Sequence, residues 1–458
     1  YMSGWKLFAY TRKRKSEVLC AWVDEITGAK TEFLSDDKLF KEQHEIFIRR
    51  RLTGLQKQRP RRKTELAIIE NKDFAGTVVK WIERLHNRHA KLVNGKKVSF
   101  GVVRMANITP CVMMARFLLN TDLPENIELK ALTYHSRFPL LIRNAIEAEL
   151  DITLKRKNLQ DAFESPNVKK HIEAARTKNV IFVVVATPVE EVGRDHDFDW
   201  AILEPSSVRS LVQMAGRVLR HRHSEDDFIL DSPNVVVLNQ NLRALKGDQI
   251  VFRWPGYECK SFRLKTHDVG QLLNFDLLRE RVDSGIRIIR ASESPLLNLS
   301  ALEHAVLDKL LLEGMKNEFQ TVPGWNNGPW HLSSIAQQKK GFRQSSEIEE
   351  VRYLMPDDLD LQYRFYLKSD NDFLVSDDWV KHYDLNPSEK ERLWVPINYQ
   401  KLLEEYVAKT SSSPRKVAER YGMISIKKRW IDRPDVRGAV LFNENLGVWE
   451  DRDWKIYF

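Results

Sequence analysis

The chain has 458 residues, a length that predicts two or three domains, each able to bury its own core. Apolar residues make up 42% and charged residues 30% of it, and no apolar run approaches the roughly 20 residues of a membrane-spanning helix, so a membrane protein and a disordered chain are both excluded. The net charge of +9 makes nucleic acid the expected partner, because clustered positive charge attracts a polyphosphate backbone.

The basic residues occur in runs. The runs are Arg12–Lys15, Arg49–Arg51, Arg59–Lys63 and Lys427–Arg429. Any single run can also be a solvated helix face. The three cysteines, Cys20, Cys111 and Cys259, are far apart and lack zinc-ligand spacing, so no disulfide framework and no metal site is predicted, and a reducing cytoplasm fits best. The N-terminus, Tyr1–Trp5, lacks the basic region, apolar core and cleavage site of a secretory signal, so we expect none, and because the chain opens on Tyr1 rather than Met, we expect it to be part of a longer protein.

Residues 1–95 are predicted to form a mixed, partly helical segment. Asp36–Arg51 is amphipathic and basic at its end, and Thr77–His89 carries apolar residues at helical spacing. From residue 98 short β-rich runs alternate with helical ones, as is typical of a buried parallel sheet with covering helices. The predicted strands are Val98–Val103, Glu128–Thr133, Val180–Ala186, Trp200–Leu203 and Asn234–Leu238, and the helices between them are Cys111–Leu119, Leu140–Leu150 and Ser206–His221.

Beyond Leu242 the alternation fades. Residues 246–394 are predicted to be a linker or accessory region that contains a helix over Ser300–Lys316. Residues 395–458 are predicted to be a C-terminal domain, and its expected elements are a helix over Val395–Val407 and strands over Ile424–Ile426, Ala439–Phe442 and Lys455–Phe458. Its aromatic residues can hold a nucleic-acid strand or fill a small core, and we favour the core for most of them; they are Trp430, Trp449, Trp454, Tyr457 and Phe458.

The most informative stretch begins at the predicted strand Ile181–Val185, which delivers Thr187 to its carboxyl end, where open α/β sheets place ligands. A turn-rich segment with Glu191, Gly193 and Asp195 follows, then Asp197 and Asp199. This run resembles motif V of superfamily-2 helicases, and more closely that of the CRISPR-associated helicase-nuclease of type I-F systems. One departure is Pro188, where much of the wider family has Gln.

Gln213–Arg220 resembles motif VI, Q-x-x-G-R-x-x-R. On one helix Gln213, Gly216, Arg217 and Arg220 would share a face, and two guanidinium groups there can reach a nucleotide on an adjacent domain. That geometry suits an arginine finger that stabilises the transferring γ-phosphoryl group, with Gln213, Arg217 and Arg220 as catalytic residues and Gly193, Asp195 and Gly216 completing the ATP site. The alternative is a basic amphipathic helix packed through Leu211, Val212 and Leu219.

Two shorter segments agree with the helicase resemblance. The strand that ends at Met105 is followed by Asn107 and Thr109, which resemble motif IV, although any turn after a strand favours Asn. Tyr134–Phe138 resembles the L-H-S-R-F segment of this family and contains His135 and Arg137. The predicted DNA-binding residues are Asn107, Thr109, His135, Arg137, Thr187 and Glu191.

Some family motifs do not occur in the sequence. It has no G-x-x-x-x-G-K-[ST] loop and no His-Asp metal cluster, and Val23–Ile26 is read as a surface turn rather than a D-E-x-x box. We therefore expect the first motor domain and the nuclease to lie outside this chain.

The resemblance implies a fold and a function. The fold is α/β, with a RecA-like parallel sheet over residues 96–245, a helical linker and a small mixed C-terminal domain. The function is ATP- and Mg²⁺-dependent 3′-5′ translocation on single-stranded DNA, coupled to a nuclease that degrades CRISPR-targeted DNA. The implied partners are the surveillance (Cascade/Csy) complex, a fused Cas-two module, the Cas-one integrase and an anti-CRISPR inhibitor. Alternatives are another superfamily-2 DNA or RNA helicase and a non-catalytic docking module.

Overall fold

The computed structural model describes residues 17–24, 28–35, 39–222, 232–311, 349–356, 363–368, 374–376, 379–427, 439–451 and 457–458. The first elements are a hairpin of strands β1 (Glu17–Asp24) and β2 (Gly28–Ser35) and helix α1 (Phe40–Gln56). Trp22 and Phe47 form the small core between the hairpin and the helix. The Glu32 carboxylate of β2 forms ion pairs with Arg50 and Arg51, so part of the basic run Arg49–Arg51 is neutralised within the protein.

A large sheet and its covering helices follow. The elements are β3 (Thr64–Ala67), α2 (Phe74–His89), β4 (Lys91–Val93), β5 (Lys96–Arg104), α3 (Ile108–Asn120), β6 (Ile127–Tyr134), α4 (Leu140–Leu154), α5 (Leu159–Glu164), α6 (Pro166–Ala174), β7 (Asn179–Ala186), β8 (Trp200–Leu203), α7 (Val208–Ala215), β9 (Val235–Leu238) and α8 (Leu242–Lys246). The strand order is β3-β9-β8-β5-β7-β6, with every pairing along it parallel, and β4 is antiparallel to β5.

The central strands are apolar along their whole length because helices cover both faces of the sheet. Residues 180–186 of β7 are all buried, and alternate side chains enter two different core clusters, Val184 on one face and Val185 on the other. The α/β class and the parallel sheet predicted from the sequence are therefore confirmed. The sheet also includes a strand that precedes the predicted start of this domain at residue 96, since β3 pairs with β9.

The helix predicted over Ser206–His221 is shorter in the structure. It is α7, which is capped by the Ser207 hydroxyl and ends at Ala215. Beyond Gly216 the backbone hydrogen-bonds to the chain that leads into β8: Phe198 N–H donates to Arg217 O at 2.8 Å, and Leu219 N–H donates to Phe198 O at 2.9 Å. Leu219 takes a left-handed φ of 50°, which a continuing helix would not allow. The prediction of one helical face carrying Gln213, Gly216, Arg217 and Arg220 was therefore wrong.

The segment after α8 was predicted to be a linker, and its helices before residue 312 pack into the core of the large sheet. Its helices are α9 (Val269–Leu272), α10 (Phe275–Glu280), α11 (Gly285–Ile288) and α12 (Leu299–Leu311). Leu272 and Phe275 lie in the same apolar cluster as the sheet strands. The predicted helix Ser300–Lys316 corresponds to α12, and residues 312–316 lie outside the described ranges.

The C-terminal elements form two smaller sheets. They are β10 (Glu349–Pro356), β11 (Tyr363–Lys368), β12 (Leu374–Ser376), β13 (Val380–His382), α13 (Pro387–Glu391), α14 (Tyr399–Thr410), α15 (Pro414–Tyr421), β14 (Met423–Lys427), β15 (Val440–Asn443) and β16 (Gly447–Glu450). One sheet has the order β12-β11-β10-β14 and the other β13-β15-β16. Because β10 precedes residue 395 and pairs with β14, this C-terminal module crosses the predicted boundary. Residues 428–430 and 452–456, with part of the predicted last strand, are outside the described ranges.

The C-terminal module, which comprises the elements from β10 to β16, covers the β6 edge of the large sheet. Trp394 N–H donates to Ala131 O of β6 at 2.9 Å, and Ala131 N–H donates to Arg392 O at 2.8 Å. The indole of Trp394 packs on Phe182 and Phe100, with ring centroids 5.1 and 5.8 Å away. Covering an edge strand satisfies its backbone groups and blocks pairing with another chain, so the module and the sheet form one packed unit. Among the described residues, none of the helices combines the length and the apolar composition needed to cross a membrane.

Candidate nucleic-acid and nucleotide site

Three of the predicted DNA-binding residues lie on loops at one edge of the large sheet. Asn107 follows β5, Arg137 follows β6 and Thr187 follows β7, and these three parallel strands are neighbours in the order β5-β7-β6. Backbone hydrogen bonds continue past the strand ends, with Met105 N–H donating to Ala186 O at 2.8 Å and Thr187 N–H donating to Tyr134 O at 3.1 Å. Parallel topology therefore brings the three segments into one row at the carboxyl edge.

The motif V loop starts at Thr187, just before a short 3₁₀ helix, Pro188–Glu190. Glu191, which follows, is buried: one carboxylate oxygen accepts from Arg104 Nε at 2.8 Å and the other from the Ser210 hydroxyl at 3.0 Å. Because both oxygens are already bonded inside the protein, this geometry does not fit the predicted direct contact with DNA. Glu191 instead fixes the loop to β5 and α7.

His135 is fully buried and does not face a ligand. Its Nε2–H donates to Leu446 O at 2.8 Å, and its Nδ1 accepts from Arg137 N–H at 3.0 Å. Burial lowers the pKa of His135 to about 3, so the ring is neutral at physiological pH. The predicted DNA contact for His135 is therefore replaced by a structural role, which is to join the loop after β6 to the C-terminal module.

Arg137 lies at the same junction. Its Nη2 donates to Glu349 Oε1 of β10 at 2.5 Å, and its backbone carbonyl accepts from Val448 N–H at 2.8 Å. The carboxylate partner is 40% exposed while the guanidinium side chain is 10% exposed. The phosphate contact predicted for Arg137 thus competes with an ion pair inside the chain.

The alternating aspartates after Gly193 each bind an arginine. Asp195 accepts from Arg220 Nε at 2.6 Å, and Arg222 is 3.3 Å from Asp197 and 2.6 Å from Asp199. Asp199 is also 2.9 Å from Arg156, and its second oxygen accepts from Phe100 N–H at 2.7 Å. Burial alone would raise the pKa of Asp199, but the two arginines and the backbone donor outweigh it and lower that pKa to about 2. Buried charge pairs at Asp197 and Asp199 and a partly exposed pair at Asp195 therefore hold this segment, together with the buried side chain of Phe198.

The motif VI arginines lie on the turn after α7, against the motif V loop. Arg217 donates through Nη2 to Glu191 O at 3.0 Å and through Nη1 to Arg194 O. Burial lowers the pKa of Arg217, and burial lowers the pKa of Arg220 to about 10. Gln213 is on the last turn of α7, and its Oε1 is shielded from solvent with no hydrogen-bond partner among the described residues.

The remaining predicted residues have simpler positions. Gly193 has a φ of 73°, so a side chain there would be strained, and it sits in the exposed part of the motif V loop. Thr109 is on the buried first turn of α3, and Asn107 donates its side-chain amide to Trp254 O at 3.0 Å. Among the described residues no group of His, Cys, Asp or Glu is arranged to hold a metal ion.

Several residues that organise the site were not singled out from the sequence. Arg104 is fully buried and donates to Glu191, Ser210 and the carbonyl of Glu204, while Arg156 and Arg222 neutralise the aspartate run. The two-residue spacing of Arg220 and Arg222 matches that of the aspartates, and this match in the sequence could have predicted the ion pairs between them. Arg104 and Arg156 gave no such signal, because their partners are 87 and 43 residues away.

The parallel sheet therefore carries the motif V loop at its carboxyl edge, with the arginine-bearing turn beside it. Residues 97–223 match the family model "CRISPR-associated nuclease/helicase Cas3, C-terminal". The chain belongs to the Cas3 nuclease/helicase family.

Two curated relatives are both described as "CRISPR-associated nuclease/helicase Cas3 subtype I-F/YPEST". The one from Pseudomonas aeruginosa is 34% identical over 445 residues, which is 93% of this chain and 41% of the relative. The one from Pectobacterium atrosepticum is 37% identical over 380 residues, 78% of this chain and 34% of the relative. The chain thus spans less than half the length of either relative. A solved structure described as "Crystal structure of CRISPR-associated protein" is 12% identical, with a TM-score of 0.43, over 98% of this chain and 45% of its own, a likeness too low to support the assignment.

Proposed function

We propose that this chain is the C-terminal motor part of an ATP-dependent 3′-5′ single-stranded DNA translocase coupled to a nuclease that degrades CRISPR-targeted DNA. The observation that supports it best is the position of the motif V loop. At one end the loop carries Thr187 at the carboxyl edge of the sheet, and in its middle it accepts hydrogen bonds from Arg217 and Arg220. One short loop therefore contacts both the expected strand site and the expected nucleotide site.

On the nucleotide side, the arginines act as preorganised donors. Arg217 is held by two backbone carbonyls and Arg220 by the Asp195 carboxylate, so their positions are fixed before a ligand arrives. ATP, bound mainly by a first motor domain, would supply the γ-phosphoryl group on which negative charge develops in the transition state. Fixed guanidinium groups stabilise such charge without a reorganisation cost at the moment of reaction.

On the strand side, the row of Asn107, Arg137 and Thr187 would follow the phosphate backbone. The Thr187 hydroxyl can donate to a phosphate, and Arg137 can add a charge-assisted bond once it leaves Glu349. Glu191 and His135 would act by fixing these loops. Mg²⁺ would accompany the nucleotide. Single-stranded DNA, the surveillance complex, the Cas-one integrase, a fused Cas-two module and an anti-CRISPR inhibitor are proposed as partners on the family relationship alone.

The test uses the full-length protein that contains this chain. Its ATP hydrolysis should be stimulated by single-stranded DNA, and it should unwind a duplex with a 3′ overhang in preference to one with a 5′ overhang. Arg220→Ala should abolish most of the stimulated hydrolysis, whereas Arg279→Ala, on the exposed surface of α10, should not. Unstimulated wild-type hydrolysis, preference for a 5′ overhang, or full activity of Arg220→Ala would contradict the proposal.

A further inference from the structure

Trp254 is a large aromatic side chain that the fold leaves in solvent. It is 58% exposed, on the loop between α8 and α9. Most tryptophans in the described residues are buried; these are Trp22, Trp81, Trp200, Trp394 and Trp449. An indole left exposed where most described tryptophans are buried, Trp379 being the other exception, points to a binding role.

The loop that carries Trp254 is rigidly built. Its base is the buried Glu258 carboxylate, which accepts from the backbone N–H groups of Val251, Phe252 and Leu264 at 2.7 to 3.0 Å. At Gly256 the φ is 128°, and a Cβ there would lie 2.1 Å from Phe252 O, so no other residue fits this close approach. An aromatic group on such a loop loses little conformational freedom when it binds a ligand.

The loop is fixed to the carboxyl edge of the sheet. Asn107, at the end of β5, donates its side-chain amide to Trp254 O at 3.0 Å, and Arg243 of α8 donates to Arg253 O at 2.5 Å. Trp254 therefore stands beside the row of loops at which the DNA strand is proposed to run. In addition to its place in that row, Asn107 holds the loop of Trp254 in position.

The charges around the indole select the ligand class. The Arg253 guanidinium lies 3.9 Å from the Trp254 ring centroid, and the exposed Arg209 lies 5.8 Å from the ring of Tyr257 on the same loop. Of the carboxylates on this loop, Glu258 is buried at its base, whereas Asp248 is exposed near the end of α8. Aromatic faces interleaved with arginines suit single-stranded nucleic acid, because bases stack on the rings and phosphates pair with the cations.

From this arrangement we infer that Trp254 is a stacking platform for a base of the bound single strand, with Arg253 and Arg209 beside the adjoining phosphates. The inference rests on the proposed function, since it places one base of the strand that the motor holds. It predicts that this contact is insensitive to base identity, because every base offers a flat face.

Binding of fluorescent oligonucleotides to the full-length protein tests the platform. One probe is an oligothymidine, and the other has the same length and backbone but abasic sites. Trp254→Ala should weaken binding of the oligothymidine about 10-fold and leave the abasic probe within about two-fold of wild type, because only stacking is lost. Trp254→Phe should keep most of the affinity. The slope of affinity against salt should not change in either variant.

Trp379→Ala is the matched control, because Trp379 is 51% exposed but lies on the C-terminal module. Thermal melting of each variant checks folding, and Trp254→Phe decides the outcome if the alanine variant unfolds. An equal loss of affinity for both probes, or no loss for either, would overturn the proposal that Trp254 stacks on a base. Loss of binding to the surveillance complex with unchanged DNA affinity would also overturn it and would make Trp254 a protein contact. If the wild-type protein binds neither probe, the proposed function itself fails.

Discussion

The Nε2 atom of His135 lies 2.8 Å from the carbonyl oxygen of Leu446, which joins the loop after β6 to the turn before β16. The junction is tight, since Gly447 has a φ of 73° and a Cβ there would lie 2.5 Å from His135 Cε1. Two residues further along the same loop is Arg137, a proposed strand contact. Any shift of the C-terminal module therefore changes the position of the loop that is proposed to hold DNA.

The buried His135 makes stability depend on pH. Burial, outweighing the bond to Leu446, lowers the folded-state pKa to about 3, with smaller contributions from Arg137 and Arg143, whereas an unfolded histidine titrates near 6.5. Between these values the unfolded state binds more protons, so the stabilisation is complete above about pH 6.5 and falls as the pH drops toward 3. This one group changes the free energy of unfolding by at most about 1.4 kcal/mol per pH unit.

His135→Gln removes the titrating group and keeps a side-chain donor for Leu446 O. We expect it to lower stability at pH 7 but to give a shallower dependence of the urea unfolding midpoint on pH between 6.5 and 4.5. His382→Gln, at an exposed position on β13, should keep the wild-type slope. A wild-type slope in His135→Gln would show that this ring does not control the dependence.

Glu349 should restrain DNA binding through its ion pair with Arg137. Glu349→Gln removes the charge that competes with a phosphate, and we expect single-stranded DNA affinity to rise by roughly 2- to 5-fold, in line with a partly exposed ion pair. Arg137→Ala should weaken binding and flatten the salt dependence by about one phosphate contact. In the double variant the gain from Glu349→Gln should vanish. A gain that persists without Arg137 would mean that Glu349 repels the strand directly.

The motif VI arginines should affect chemistry more than binding. In the full-length protein Arg220→Ala should lower kcat for DNA-stimulated ATP hydrolysis by roughly 10³-fold, with little change in DNA affinity. Asp195→Asn, which weakens the hydrogen bond that the Asp195 carboxylate accepts from Arg220 Nε, should lower kcat by a smaller factor. Arg217→Lys should also be impaired, because an ammonium lacks the planar fork that now reaches Glu191 O and Arg194 O together. Wild-type turnover in Arg220→Ala would show that the turn after α7 is a packing element and takes no part in ATP hydrolysis.

Asp199 should be important for folding rather than for catalysis. Asp199→Ala leaves the guanidinium groups of Arg156 and Arg222 buried without this partner, and we expect it to reduce the free energy of unfolding by about 3 to 5 kcal/mol. Denaturant unfolding of this variant measures the loss. Asp161→Ala, on the surface helix α5, provides the comparison and should change stability by less than about 0.5 kcal/mol. An equal, small effect of both would show that the buried arginines find other partners.

The sequence predicted the elements that depend on local pattern. The continuous apolar run of β7 and the helical spacing of α2 identify a buried strand and an amphipathic helix without further information. Strand–helix alternation then predicts a parallel sheet, and with it the meeting of Asn107, Arg137 and Thr187 at one edge. Local pattern failed at the turn after α7, where backbone pairing with Phe198, a distant residue, ended the helix early.

Only the tertiary structure decided which side chains at that edge are available to a ligand. From the sequence, Glu191, His135 and Arg137 were all predicted to bind DNA, but their partners are Arg104, Leu446 and Glu349, which lie 87, 311 and 212 residues away. The same holds for Trp254, whose loop is held by Asn107 from another strand. Spacing along the chain determines helices and strands, whereas the order of the strands and the pairing of a buried charge depend on long-range packing that no local pattern encodes.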